Sequence, residues 1–432
     1  MASFNIGSCA NQICDIEGYE NQRSASSSFD HVVYRRHPTG AEKNLVNIKI
    51  TNPNLDPMVY ALIFPYGEPG WQPLMRTEHY RNPEERGLTR VNVTMMQWRS
   101  AQMSIRDDFN PILHSGKLTQ QLFVDFYTQL EATRLFYLRQ NQSKLRREQY
   151  TGLMDFLQTS SNAVGARLGV PIILPSSFEG SPRNMNEKCA DAMAIFAQHG
   201  HPDLFITFTA NPKWPEIVEN LQPMDKVEDR ADIVTRVFNL KLKQLIDDIT
   251  TGQLFGPSAA IVHTIEFQKR GLPHAHILLA LRPSFKFITA ERINKYISAE
   301  IPDPERSPLL YAAVCQFMMH GPCGAINPRC PCMKRMACTK QFPKSFADVA
   351  VPNDRGYPLY RRRRTTFRAN RSFRKEDGRY DNAALDNTCV VPYNPDLLLK
   401  YNAHINVECC TSLKAIKYIY KYVYIGMTAS TR

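Results

Sequence analysis

The stretch AAIVHTIEFQ-KRGLP-HAHILLAL, residues 259 to 281, constrains this chain most strongly. Two runs rich in β-formers are split by five residues, Lys269 to Pro273, that contain Gly and Pro. Such a pattern is a hairpin, so the sheet it belongs to has antiparallel neighbours. Upstream, CADAMAIFAQHG reads as a helix closed by Gly200 and DLFITFTA as a strand stopped by NPKWP. DIVTRVFNLKLKQLIDDITTGQLFG then repeats apolar residues at helical spacing up to about Gly252. Helix, strand, helix and hairpin in this order predict an α+β fold around an antiparallel sheet.

On a strand, alternate side chains share a face, so His274 and His276 point the same way. A five-residue loop would set Gln268 opposite His274 and Glu266 opposite His276, all on one face. Two imidazoles and a hard oxygen donor can then meet at one ion. Glu266 ranks first as the third ligand, because an anionic oxygen suits Mg²⁺ or Mn²⁺, and Gln268 is held in reserve. The plainer reading is two hydrogen-bonded sheet histidines.

A second candidate lies near residue 420, in SLKAIKYIYKYVYIG. Its lysine and alanine content, with Gly426 as a stop, favours a helix. At about 100° per residue, Leu413, Ile416, Ile419, Tyr420, Val423 and Met427 form an apolar stripe. Tyr418 and Tyr422, one turn apart, fall on the opposite, basic side near Lys414 and Lys421. A tyrosine can attack a phosphodiester and keep the bond energy as a phosphotyrosine. Its pKa near 10 means that a metal or base must help it.

Charge supports an anionic partner: 53 Lys and Arg oppose 41 Asp and Glu, a net +12. Nucleic acid ranks ahead of membrane, because no apolar run of about 18 residues occurs. The run Arg361, Arg362, Arg363 and Arg364, with Tyr360, Phe367 and Phe373 interleaved, suits phosphate contact and base stacking on single-stranded DNA; Lys414 and Lys417 are further phosphate candidates. A solvated loop is the duller reading. The start of the chain lacks the basic and apolar regions of a signal peptide, so an intracellular, nuclear setting is expected, with cysteines as thiols or metal ligands. His320, Cys323, Cys330, Cys332 and Cys338 crowd one Pro-rich segment, where four soft ligands can hold a structural Zn²⁺.

These residues sit inside a longer pattern: DPMVYALIFPYGEPGW, ILPSSFEGSPRNM, PDLFITFTANPKWPEI, EFQKRGLPHAHILLAL, MMHGPCG, VVPYNPDLLLKYNAHINVE and KYIYKYVYIG. Together they resemble the replication-initiator-like HUH endonuclease region of Helitron transposases, whose full-length members carry a helicase downstream. The resemblance implies a metal-binding His274–His276 pair, catalytic Tyr418 and Tyr422 with Lys421 between them, and the zinc set His320, Cys323, Cys332 and Cys338, with Cys330 spare. It implies single-stranded DNA as substrate and a covalent 5′-phosphotyrosine. Ala210 stands where the family commonly has Cys, and Ile425 where it usually has Lys.

The expected organisation is a lead-in over 1–45, a helical N-terminal domain over 46–165, an HUH core over 166–302, a Cys- and Arg-rich DNA-contacting segment over 303–386, and a tyrosine-helix region over 387–432. No GxxxxGK[ST] loop occurs, so a helicase is expected in trans or missing from this chain. The alternative is a decayed single-stranded DNA-binding module. A zinc hydrolase is the third and weakest reading.

Overall fold

The computed structural model describes residues 31–34, 45–76, 92–142, 174–268, 271–352, 358–374 and 378–410. They fall into two compact units, residues 31–184 with Leu221–Asp232, and Met185–Asn220 with residues 233–410. The segment 411–432, with Lys414, Lys417, Tyr418, Lys421 and Tyr422, lies outside the described residues.

The first unit holds an antiparallel pair, β1 (His31–Tyr34) and β2 (Leu45–Ile48), and the helices α1 (Leu55–Val59), α2 (Met95–Gln102) and α3 (Lys117–Gln140). Helix α2 starts in a capping box: Thr94 Oγ1 accepts from the Gln97 N–H at 3.2 Å, and the Gln97 side chain accepts from the Thr94 N–H at 2.9 Å. The apolar face of α3 supplies Leu122 and Phe126 to a core with Tyr60, Ile63, Phe64 and Ile112. Buried Arg99 beside that core is ion-paired with Asp56, donates to Gln129 Oε1 at 2.7 Å and lies 3.6 Å over the Phe126 ring. Pairing with Asp56 offsets the cost of taking the guanidinium out of water.

In the second unit α4 (Pro182–His199) leads into β3 (Leu204–Thr209), then α5 (Pro215–Val218), α6 (Ala231–Thr250), β4 (Ser258–Phe267) and β5 (Pro273–Leu281). After α7 (Ala290–Tyr296) and α8 (Pro308–Phe317) come two small hairpins, β6 (Met333–Lys334) with β7 (Ala337–Cys338) and β8 (Ala369–Arg374) with β9 (Tyr380–Leu385). Helix α9 (Pro395–Tyr401) and β10 (Ile405–Cys409) follow. The main sheet has the order β10-β3-β5-β4, antiparallel at every step, as the hairpin pattern predicts.

Alternation gives this sheet two unlike faces. Ile206, Phe208, Ala275, Ile277, Leu279, Ile405 and Val407 are buried on one, where α6 adds Phe238, Leu242 and Leu245. Phe208 anchors that layer, 5.3 Å from the Phe238 ring and 5.8 Å from Trp214, which donates its indole N–H to the Tyr401 carbonyl at 2.7 Å. The other face is apolar at one end, where Phe196 of α4 packs with Phe205, Leu278 and Ala280, and polar at the opposite end. Among the described residues, no helix is long and apolar enough to cross a membrane.

The arginine run is partly tied into the fold, with Arg363 and Arg364 still exposed. Arg362 is 2 % exposed and donates to the carbonyls of Asn387 at 2.6 Å, Val390 at 2.7 Å and Ala299 at 3.3 Å. Arg363 grips Glu300 with two bonds, at 2.9 and 2.7 Å, and Arg361 stands 3.4 Å from the same carboxylate. Arg364 lies 4.3 Å over the Phe346 ring. Of the interleaved aromatics, Tyr360 is buried, accepting from the Cys409 N–H at 2.8 Å, and Phe367 and Phe373 are half-buried against a core of Val314, Met318, Leu385 and Val390. A planar fork of donors here satisfies irregular backbone that would otherwise be buried unpaired. Arg362→Ala is expected to cost about 3 kcal/mol in urea unfolding, because it strands three buried carbonyls.

Candidate metal centres on the sheet and on a cysteine-rich hairpin

The polar end of the sheet gathers the His-x-His pair. Its register differs from the sequence expectation: Glu266 pairs with His274 and Thr264 with His276. The turn causes the shift, since the Gln268 N–H donates to the Leu272 carbonyl at 2.9 Å and the Gly271 N–H to the Gln268 carbonyl at 2.8 Å. Gly271 takes φ +81°, which glycine adopts without penalty. Gln268 therefore falls at the turn and is exposed, while Glu266 lies directly across from His274.

Three donors converge. His274 Nε2 is 3.0 Å from His276 Nε2 and 3.3 Å from Glu266 Oε2, and His276 Nε2 is 3.7 Å from that oxygen. Metal–ligand bonds of about 2.1 Å at right angles would put neighbouring donors about 3.0 Å apart, so this set fits a divalent ion. Burial alone would raise the Glu266 pKa, but hydrogen bonds and charge from His274 and His276 outweigh it and hold the carboxyl at about 2. The third position is thus an anion at neutral pH.

Neighbours on the same face orient this set. Thr207 on β3 pairs with His276, and its Oγ1 lies 3.2 Å from His276 Nδ1. An Nδ1–H donated to that hydroxyl leaves the Nε2 lone pair facing His274 and Glu266. Phe205 stacks on the His276 ring at 5.5 Å. Just before β10, His404 Nδ1 lies 2.8 Å from the Phe317 carbonyl, which can only accept, so Nδ1 carries the proton. His274 Nδ1, Thr264 Oγ1 and Asn406 Oδ1 are buried without a hydrogen-bond partner among the described residues. Sequence reading passed over Thr207, Thr264 and Asn406; alternation within FITFT and HINVE is the signal that puts two of them on the histidine face.

The second centre lies in the cysteine-rich segment. Ligand atoms of His320, Cys323, Cys332 and Cys338 all lie within 4.8 Å of one another. Cys330 stays outside the set, although its Sγ is 3.5 Å from that of Cys332. Burial pushes the Cys323 thiol up to about 11 and raises that of Cys332 as well. It also raises Cys338, but N–H groups of Phe342 and Lys340 and the neighbouring thiols reverse the sign and lower that pKa. Burial, with the charges of Lys340 and Lys344, lowers the His320 pKa, keeping the imidazole neutral as a ligand must be. The ring is stacked on Phe342 at 4.1 Å. Three thiols and an imidazole at this separation can hold a metal ion such as zinc. All described cysteines are free thiols.

Comparison with known families decides the context. Residues 96–279 match the family described as a Helitron helicase-like domain at the N-terminus. This chain carries a Helitron helicase-like N-terminal region. No curated protein matches the chain. The Helitron-like match takes in α3, the strands β3 to β5, and with them His274, His276, Glu266 and Thr207; the cysteine set lies beyond its end.

Proposed function

We propose that this Helitron-related chain is a metal-dependent, HUH-type endonuclease and strand transferase of a rolling-circle transposon, acting on single-stranded DNA in the nucleus. The observation that carries this reading is the convergence of His274, His276 and Glu266 on one sheet face inside the Helitron-like region. Mg²⁺ or Mn²⁺ is the ion proposed there; when bound, it polarises the scissile phosphate and offsets developing charge. His274 and His276 offer their Nε2 atoms, Glu266 supplies the anionic oxygen, and the Thr207 hydroxyl stands beside His276 Nδ1.

In the proposed reaction the phenol oxygen of Tyr418 or Tyr422 attacks phosphorus. A Tyr–O–P bond forms as the P–O3′ bond breaks, the phenol proton passes to solvent, and the leaving 3′ oxygen takes up a proton to become a hydroxyl. Lys421 is assigned to the phosphate beside the tyrosines. The second tyrosine then repeats the attack on another strand, and transfer returns the stored ester to a 3′ hydroxyl. The His320–Cys323–Cys332–Cys338 centre is assigned a structural Zn²⁺ outside this chemistry. Incubating the protein with single-stranded DNA and Mn²⁺ is expected to give a protein–DNA adduct that survives denaturing gels and is absent in Tyr418→Phe/Tyr422→Phe.

A further inference from the structure

We propose that the tip of the cysteine-rich hairpin, Lys334 to Met336, contacts the phosphate backbone of single-stranded DNA, and that the metal held by His320, Cys323, Cys332 and Cys338 sets its position. This deepens the DNA-processing reading above and rests on it.

Charge is the first argument. From Glu305 to Asp348 the chain has no Asp or Glu between those two, but it has Arg306, Arg329, Lys334, Arg335, Lys340 and Lys344. A Zn²⁺ with three thiolates and a neutral histidine carries a net charge of about −1, so the segment stays positive when loaded. Elsewhere the obvious basic run is partly engaged inside the fold, with Arg361 and Arg363 on Glu300 and Arg362 on backbone carbonyls. The hairpin tip is different: Lys334, Arg335 and Met336 are exposed, Met336 to 86 %.

Geometry is the second argument. Strands β6 and β7 are two residues each, with Met333 opposite Cys338 and Lys334 opposite Ala337. Cys332 and Cys338 therefore bracket the hairpin, and the Thr339 N–H donates to the Cys332 carbonyl at 2.8 Å. One ion bound by both cysteines clamps the base of the hairpin. At the turn, Arg335 and Met336 take φ +49° and +65°, the left-handed region that two-residue hairpin turns require and that Asn-Gly usually fills. A long cation and a thioether stand instead where small turn residues fit best. The arrangement presents two cations flanked by an apolar side chain, which suits phosphates with a base lying against Met336.

The test uses the full chain carrying His274→Ala, so that cutting cannot deplete the probe and a chain that never nicks still gives an answer. Binding of a fluorescent oligo-dT strand is titrated at several salt concentrations. K334A/R335A is expected to weaken binding about 10-fold and to reduce the slope of log affinity against log salt by about 1.4, for two lost phosphate contacts. K334R/R335K is expected to bind like the parent. Stripping the metal with a chelator is expected to weaken the parent and to leave K334A/R335A unchanged. Equal affinity and equal salt slope in the parent and K334A/R335A, with metal content unchanged, would overturn the proposal. So would a chelator effect of the same size in both.

Discussion

His274→Ala is expected to lower metal-dependent nicking of single-stranded DNA by about 10³-fold, with His276→Ala close behind. That factor corresponds to about 4 kcal/mol of transition-state stabilisation. The two Nε2 atoms stand 3.0 Å apart and share one carboxylate oxygen, so removing either leaves a two-donor site open to water. Both histidines are on a strand hydrogen-bonded on each side, and the truncation removes a ring from the polar end of a face whose apolar packing lies elsewhere. Secondary structure by circular dichroism should therefore match the parent while Mn²⁺ affinity falls. Unchanged cleavage in His274→Ala would remove this triad from the mechanism.

Loss of the second metal should act on the fold instead. Whole-protein metal analysis is expected to find one zinc per chain, to lose it in Cys338→Ser, and to keep it in Cys330→Ser. Strands of two residues cannot hold a hairpin in water by themselves, and most residues from Ala325 to Gln341 are exposed or half-buried. Binding of structural zinc by small cysteine–histidine segments is worth about 10–16 kcal/mol at neutral pH, and there it is the folding energy. Cys338→Ser should consequently open this segment to limited proteolysis while the four-stranded sheet keeps its protection. Equal zinc content and equal protease resistance in Cys338→Ser would contradict that assignment.

Much of the sheet was legible because its evidence is local. The hairpin announces itself through β-rich runs around Gly271 and Pro273, and alternation alone puts His274 and His276 on one face. Register was not legible, since it depends on how tightly the turn closes; the Gln268 to Leu272 bond moved Glu266 opposite His274. The role of Thr207 needs the β3–β5 pairing, which joins residues 69 positions apart. The ties of Arg361, Arg362 and Arg363 were not legible for the same reason, since their partners Glu300, Asn387 and Val390 are distant in sequence. Crowding narrowed the zinc candidates to five residues and the family resemblance set Cys330 aside; the four ligand atoms that converge are those of His320, Cys323, Cys332 and Cys338. The tyrosine pair remains a reading of sequence, as residues 411–432 lie outside the described ones.

The most direct measurement joins both halves of the mechanism in one lane. End-labelled single-stranded DNA carrying transposon-end sequence is mixed with the protein and Mn²⁺, denatured, and resolved on a gel with and without protease. The account predicts a labelled species of the protein's size that collapses on proteolysis, requires Mn²⁺ or Mg²⁺, and vanishes in both His274→Ala and Tyr418→Phe/Tyr422→Phe. Cleavage with no protein-linked strand, or a linked strand that persists in the double tyrosine variant, would contradict it.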